Sequence, residues 1–256
     1  MSELLIHQDG RLLTLTLNRP EKRNALAAAL CHQLVNALDA AEEDDSVGAV
    51  LLTANGSVFC AGMDLDETLA PDASEQIRIH ERLFTVGFRL PKPLVAAVQG
   101  PALGGGVGLI ASAHVVVAAQ GVSFALAEIR LALWPFVIHR ALVAALGERR
   151  AVALSLTGRV FSVQEALQWG LVHEVAPAIE LEDRALDVAR KLSSASPDAL
   201  ARGLDFVQRS RGRTLADGGE LAIEMRAEAF ASADFQEGVK AFQEKRPPRW
   251  PSLEGN

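Results

Sequence analysis

The stretch from Leu94 to Leu109 constrains the fold most. Five apolar residues, Leu94-Val95-Ala96-Ala97-Val98, run through Gln99 into Gly100-Pro101-Ala102-Leu103-Gly104-Gly105-Gly106-Val107-Gly108-Leu109. A buried strand feeds a glycine turn, and the turn opens a hydrophobic helix. Glycines have no Cβ, so a ligand can approach the backbone closely. The start of a helix presents unpaired N–H groups and the positive end of its dipole. Three readings fit such a place. One is close strand–helix packing. Another is a dinucleotide fingerprint, with Glu128 about twenty residues on, although the glycines fall out of phase with a strict GxGxxG. The third is a site for a developing oxyanion, which needs a second donor from elsewhere in the chain.

The surrounding sequence alternates strands and helices. Arg11–Leu17 alternates Leu with Thr, a period-two strand ending at Asn18-Arg19-Pro20. Residues Ala25–Glu43 carry Leu26, Leu30, Leu34 and Leu38 at four-residue steps, an amphipathic helix. A strand is expected over Val47–Ala54 and a helix over Ser74–Leu90, stopped by Pro91 and Pro93. Another strand follows at Val115–Ala119, and from Glu148 the chain reads as mainly helical. No linker divides it. The expectation is one α/β unit, with a core over 1–195 and a helical C-terminal region over 196–256. The Pro-rich run Arg246–Pro251 reads as the end of the folded part.

Composition narrows the function. A net charge of −7 argues against broad nucleic-acid binding, which needs clustered Lys and Arg. No apolar run approaches the ~20 residues of a membrane span, and the first residues lack the pattern of a signal peptide. Only Cys31 and Cys60 occur, so a reducing, cytoplasmic setting is expected. The six His residues are scattered, without metal-ligand spacing, and no GxSxG elbow is present. His114, beside a buried strand, reads as a satisfied core histidine, and His139 as an interhelical or surface one.

A candidate for the second donor lies in Gly56–Leu65, where another strand runs into a small-residue loop. Asn18-Arg19-Pro20 with Asn24-Ala25-Leu26, then Phe59-Cys60-Ala61-Gly62-Met63-Asp64-Leu65, then Gly100–Gly106, and finally Phe242–Pro248 resemble, in order, the enoyl-CoA hydratase/isomerase (crotonase) family. The resemblance covers nearly the whole chain. It implies a crotonase (ClpP-like) spiral of ββα repeats, a homotrimer or dimer of trimers, and an acyl-CoA thioester substrate in fatty-acid metabolism. Coenzyme A then enters as part of the substrate, and no permanently bound cofactor is expected. The backbone N–H groups of Met63 and Gly105 would form the oxyanion hole. Lys22 and Arg23 would meet phosphates, and Ala61, Asp64 and Leu65 would lie along the cofactor. Phe242 and Lys245 would close over it, often from a neighbouring subunit. Asp64 could equally cap the following helical turn.

The carboxylates bear on the reaction. Hydratases of this family place one Glu three residues past the oxyanion glycine and a second on the next segment. The first position is Gly108 here, and the second is Glu128, in an apolar stretch where desolvation raises a carboxyl pKa. In Trp134-Pro135-Phe136, the Phe136 position holds a small residue beside the attacking water in family hydratases. Gly108, Trp134 and Phe136 are expected at the pocket. One carboxylate beside an oxyanion hole suits 3,2-enoyl-CoA isomerisation with Glu128 carrying the proton. Hydration of trans-2-enoyl-CoA, or acyl-CoA binding with weak catalysis, are the alternatives. The acyl group is expected to lie along Thr68–Leu83.

Overall fold

The computed structural model describes residues 2–68 and 74–254. In chain order the elements are β1 (Leu4–Asp9), β2 (Leu12–Leu17), α1 (Ala28–Glu43), β3 (Ala49–Ala54), α2 (Leu65–Thr68), α3 (Ser74–Phe84), β4 (Leu94–Val98), β5 (Ala102–Leu103) and α4 (Gly105–Ser112). There follow β6 (Val115–Ala119), β7 (Ser123–Ala125), α5 (Phe136–Leu146), α6 (Glu148–Thr157), β8 (Val160–Ser162), α7 (Val163–Trp169), β9 (Glu174–Ala176) and α8 (Leu181–Ser193). The last are α9 (Pro197–Ser210), α10 (Leu215–Ala231), α11 (Ala233–Glu244) and α12 (Pro251–Glu254). No helix among the described residues is long and apolar enough to cross a membrane.

Two compact units result. One comprises Met1–Gly87 with Pro93–Ser193, the other Phe88–Lys92 with Ser194–Asn256. The division falls where α8 ends, two residues before the boundary expected from sequence. It also assigns Phe88–Lys92 to the second unit, where the Arg211 guanidinium lies 3.9 Å from the centre of the Phe88 ring.

The first unit holds a six-stranded sheet in the order β1-β2-β3-β4-β6-β9, parallel except for the β1–β2 hairpin. A smaller sheet runs β5-β7-β8 and is extended by a bridge from Cys60 to Ala102. Sequence order explains the pair of sheets. Three times the chain makes a large-sheet strand, then a step in the small sheet, then a helix: β3–Cys60–α3, β4–β5–α4 and β6–β7–α5. All five residues of β4 are buried, as expected of a central parallel strand covered on both faces. Leu15 and Leu17 of β2 are fully buried, and α8 packs across β2, β3, β4 and β6. Each such side chain contributes roughly 1.5–3 kcal/mol of burial.

Helix α1 begins three residues later than the leucine spacing suggests, because Leu26 is held in a β-bridge to Met63. Helix α3 ends at Phe84, and a 3-10 turn at Val86–Phe88 takes over. A Cβ on Gly87 would collide with the Ser112 carbonyl, so the backbones there are already in contact.

The second unit is helical. Ser196, Thr214 and Ser232 cap α9, α10 and α11 through their side-chain oxygens. The Pro-rich run does not end the fold. Arg246 pairs with Glu237, Trp250 Nε1–H donates to the Ser194 carbonyl at 2.9 Å, and the chain continues into α12.

Candidate active site

Asn24 ties two loops together. Fully buried and with φ of 53°, it accepts the Arg19 N–H at 2.8 Å and donates to the carbonyls of Asn55 and Val58 at 2.9 and 2.8 Å. The Arg19 guanidinium reaches Asp64 and Glu3, each at 3.0 Å, and donates to the Ala25 carbonyl at 2.7 Å. These bonds hold residues 19–26 against 55–64. The Leu26 N–H then donates to the Gly62 carbonyl at 2.8 Å, and the Leu26 carbonyl accepts the Asp64 N–H at 3.3 Å. In a parallel bridge those bonds belong to the residues flanking Met63, so the Met63 N–H faces the other way. It has no hydrogen-bond partner among the described residues.

The same loop lies on the start of α4. Gly62 has φ of 88°, and a Cβ there would stand 2.8 Å from the Leu103 carbonyl oxygen and 3.3 Å from the Gly105 nitrogen. Gly105 is the first residue of α4, and the helical ladder begins with the Gly108 N–H donating to the Gly104 carbonyl at 3.1 Å. The Gly105 N–H is therefore outside that ladder. The Gly104 N–H is already donated to Ala125 at 2.9 Å. Among the described residues the amides of Met63 and Gly105 have no hydrogen-bond partner, and the loop that carries Met63 touches the first residue of α4 through Gly62.

Glu128 opens the 3-10 turn Glu128–Leu131, which follows β7 after Leu126 and Ala127. A Cβ on Gly104 would lie 2.8 Å from Glu128 Oε1, so the carboxylate rests against the glycine turn. Its Oε2 is buried and has no hydrogen-bond partner among the described residues. Desolvation by burial raises its pKa above the ordinary 4.5, against a smaller lowering by its own backbone N–H.

These groups line a cavity of about 470 Å³. Its wall includes Gly62, Met63, Gly104, Gly105 and Glu128, and is otherwise largely apolar, with Leu26, Phe84, Leu103 and Ile138. Ala61, Leu65, Trp134 and Phe136 line it too, and Phe136 is 72% exposed. Ile77 and His80 represent the Thr68–Leu83 segment, of which 69–73 lie outside the described residues.

Two expected residues behave otherwise. Gly108 does not line the cavity. A Cβ there would stand 2.3 Å from Ile138 Cγ2 and 3.0 Å from Phe84 Cδ1, so neighbouring side chains occupy the space a second glutamate needs. The Asp64 carboxylate is buried against Arg19 and accepts the Asp66 N–H at 3.2 Å, which makes it a loop tie and cap rather than a free cofactor contact. Lys22 is exposed and paired with Asp66 at 3.1 Å. Arg23, also exposed, accepts the Ala61 N–H through its carbonyl at 3.0 Å. Phe242 and Lys245 belong to the second unit; Phe242 is 85% exposed on α11, and Lys245 terminates that helix with φ of 54°.

His114 accepts the Leu94 N–H at Nδ1 and places Nε2 3.1 Å from the Gly87 carbonyl, a fully used core imidazole. His139 is absent from the cavity wall and packs 5.9 Å from the Trp134 ring. Sequence reasoning missed His80, whose i, i+4 spacing to the buried Phe84 was the available signal. It also missed the Arg19–Asp64 pair, which becomes visible only when the two loops meet.

The family profile for "Enoyl-CoA hydratase/isomerase" matches residues 7–253. The 2,3-dehydroadipyl-CoA hydratase of Escherichia coli K12 is 37% identical, over 97% of this chain and 98% of that protein. The 1,2-epoxyphenylacetyl-CoA isomerase of the same organism is 33% identical, over 98% of each chain. Among solved structures, an enoyl-CoA hydratase of Mycobacterium smegmatis superposes with a TM-score of 0.91 at 32% identity, covering 98% of this chain and 99% of that one. The strand–turn–helix cradle, its apolar cavity and these likenesses agree, and the chain belongs to the enoyl-CoA hydratase/isomerase (crotonase) family of enzymes acting on CoA thioesters.

Proposed function

We propose that the chain catalyses 3,2-enoyl-CoA isomerisation. In this reading the thioester oxygen accepts hydrogen bonds from the N–H groups of Met63 and Gly105. Glu128 removes a proton from C2 of a 3-enoyl thioester, and the electron pair passes into the dienolate held by the two amides. Glu128 then returns the proton to C4, leaving the double bond between C2 and C3. Preorganised donors of this kind contribute on the order of 3 kcal/mol each to the transition state. The observation that carries the reading is that Glu128 is the one carboxylate on the described cavity wall, while the position for a second is filled by Ile138. Burial supplies what a base for carbon acids needs, a carboxylate more basic than one in water.

Hydration of trans-2-enoyl-CoA is the second reading, favoured by relatives named as hydratases. Acyl-CoA binding with weak catalysis is a third. Assays of cis- and trans-3-enoyl-CoA beside trans-2-enoyl-CoA, over several chain lengths, separate them. Isomerisation should exceed hydration, and Glu128→Gln should lower it by about 10²–10⁴-fold while acyl-CoA still binds. Full activity of that variant would sink the assignment.

Coenzyme A is proposed to be held as part of the substrate, near Lys22, Arg23 and the Ala61–Leu65 backbone. We further propose assembly as a trimer or dimer of trimers, with Phe242 and Lys245 reaching the cofactor of a neighbouring copy. The exposed apolar side chains of the second unit support it. A cytoplasmic place in fatty-acid metabolism belongs to the same reading and draws on the buried free thiols Cys31 and Cys60.

A further inference from the structure

We infer that Cys60 is a positioning residue of the oxyanion hole, whose sulfur holds the Gly62 amide and thereby aims the N–H of Met63. The inference rests on the thioester oxygen being received by Met63 and Gly105. It goes further in naming the side chain that orders one of those donors.

Cys60 is fully buried, and the Gly62 N–H donates to its Sγ at 3.4 Å. A peptide unit is planar and trans, so the Gly62 carbonyl and the Met63 N–H point in opposite directions. The Leu26 N–H holds that carbonyl at 2.8 Å and so fixes the plane that follows Gly62. The plane that precedes Gly62 carries the Gly62 N–H, which Sγ holds. Only the two backbone torsions of Gly62 separate these planes, with φ at 88°. Glycine turns readily about them, so both planes must be held for the Met63 N–H to keep one direction.

Cys60 also touches the strand and helix that carry the other donor. Its N–H donates to the Pro101 carbonyl at 3.4 Å, and its carbonyl accepts the Leu103 N–H at 2.9 Å. A Cβ on Gly106 would collide with the Cys60 carbonyl and stand 2.9 Å from the Cys60 Cβ. Any residue could form those main-chain bonds; the bond to Gly62 depends on the side chain. Burial pushes the Cys60 thiol up to about 12, so the sulfur stays an uncharged acceptor. Cys31, on α1, is the other fully buried thiol and serves as a control for lost packing.

The test reads the thioester carbonyl. Infrared difference spectra of bound trans-2-hexenoyl-CoA, isotopically labelled at the carbonyl, are recorded in a Glu128→Gln background, with Kd from calorimetry. Turnover of each variant is measured with Glu128 intact. Hydrogen bonds to the oxygen lower the stretching frequency, so the band should fall on binding to the parent protein. In Cys60→Ala it should fall less, and kcat should drop by about 3- to 10-fold while Kd stays nearly unchanged. Cys60→Ser, which keeps an acceptor, should restore part of both. Cys60→Val, which fills the space without an acceptor, should behave as Cys60→Ala and replaces it if that variant does not fold. Cys31→Ala should lower the melting temperature and leave band and kcat unmoved. A band and kcat unaltered by Cys60→Ala, or a loss reproduced by Cys31→Ala, overturns the role of Cys60 alone. Binding without any carbonyl shift in the parent protein overturns the oxyanion reading of Met63 and Gly105. Failure to bind any acyl-CoA overturns the acyl-CoA reading as well.

Discussion

At the scale of single residues, the raised pKa of Glu128 has two opposite consequences. The carboxylate works as a base only when ionised. The acid limb of kcat/KM should therefore have its midpoint above the ordinary glutamate value of 4.5. For stability the sign is reversed. The folded state holds this proton more tightly than the unfolded chain, so between the unfolded and folded pKa values the native state binds more protons. Stability is then lost as pH rises through that window. Glu128→Gln removes the penalty. Its melting temperature should exceed that of the wild type at about pH 7, and the gain should vanish near about pH 4. Each kcal/mol relieved corresponds to about 2–4 °C. An unchanged difference across that range would show that burial of the charge is not the cause. Gly62 supplies a contrasting case. With φ of 88° and the Leu103 carbonyl in the way, Gly62→Ala must shift the loop that carries Met63. The strain is about 1–2 kcal/mol, and kcat should fall by more than acyl-CoA affinity does. Steady-state kinetics alongside calorimetry would read both.

At the scale of elements, the packing of α4 on α5 decides how many carboxylates the cavity can hold. Ile138 of α5 fills the notch at Gly108 of α4. Gly108→Glu alone should therefore destabilise the fold by about 1–3 kcal/mol through overpacking. Gly108→Glu with Ile138→Gly makes room, and the pair should raise hydration of trans-2-enoyl-CoA relative to isomerisation. A double variant with unaltered product ratio would remove the second carboxylate as the determinant of reaction type. None of that steric exclusion can be read along the chain, because 30 positions separate residues 108 and 138. What the sequence did carry was periodic. The Leu/Thr alternation of β2, the leucine steps of α1 and the buried run of β4 each declare themselves locally. The glycine turn announced a close backbone approach, and Glu128 an apolar setting for a carboxylate. Elements without a local signature were not foreseen. β1 buries only Leu4, so it shows no period-two face. β8 and β9 have three residues each and exist through pairing with β7 and β6. Helix α5 begins at Phe136, straight after a proline, in a stretch read for its pocket residues rather than its helical spacing.

At the scale of the whole molecule, a monomer would leave large apolar side chains of the second unit wet. Leu215 is 96% exposed and Ile223 66%, both on α10, and Phe230 and Phe235 stack on each other at 4.8 Å while remaining about half exposed. Single exposed apolar residues need no explanation, but several on adjoining helices of one unit suggest a covered face. Assembly would remove them from water, and each fully buried side chain of this size contributes roughly 1.5–3 kcal/mol. Light scattering coupled to gel filtration should accordingly give three or six copies. Ile223→Asp places a charge in that face, where it must be desolvated on assembly, and should shift the protein toward monomer. The same variant separates two roles of Phe242. If that ring serves a neighbouring copy's cofactor, monomeric Ile223→Asp should lose acyl-CoA affinity, although its own cavity is untouched. If instead the monomer binds acyl-CoA as tightly as the assembly does, the site is complete within one chain. The exposure of Phe242 would then have to be explained by contacts other than those with the cofactor.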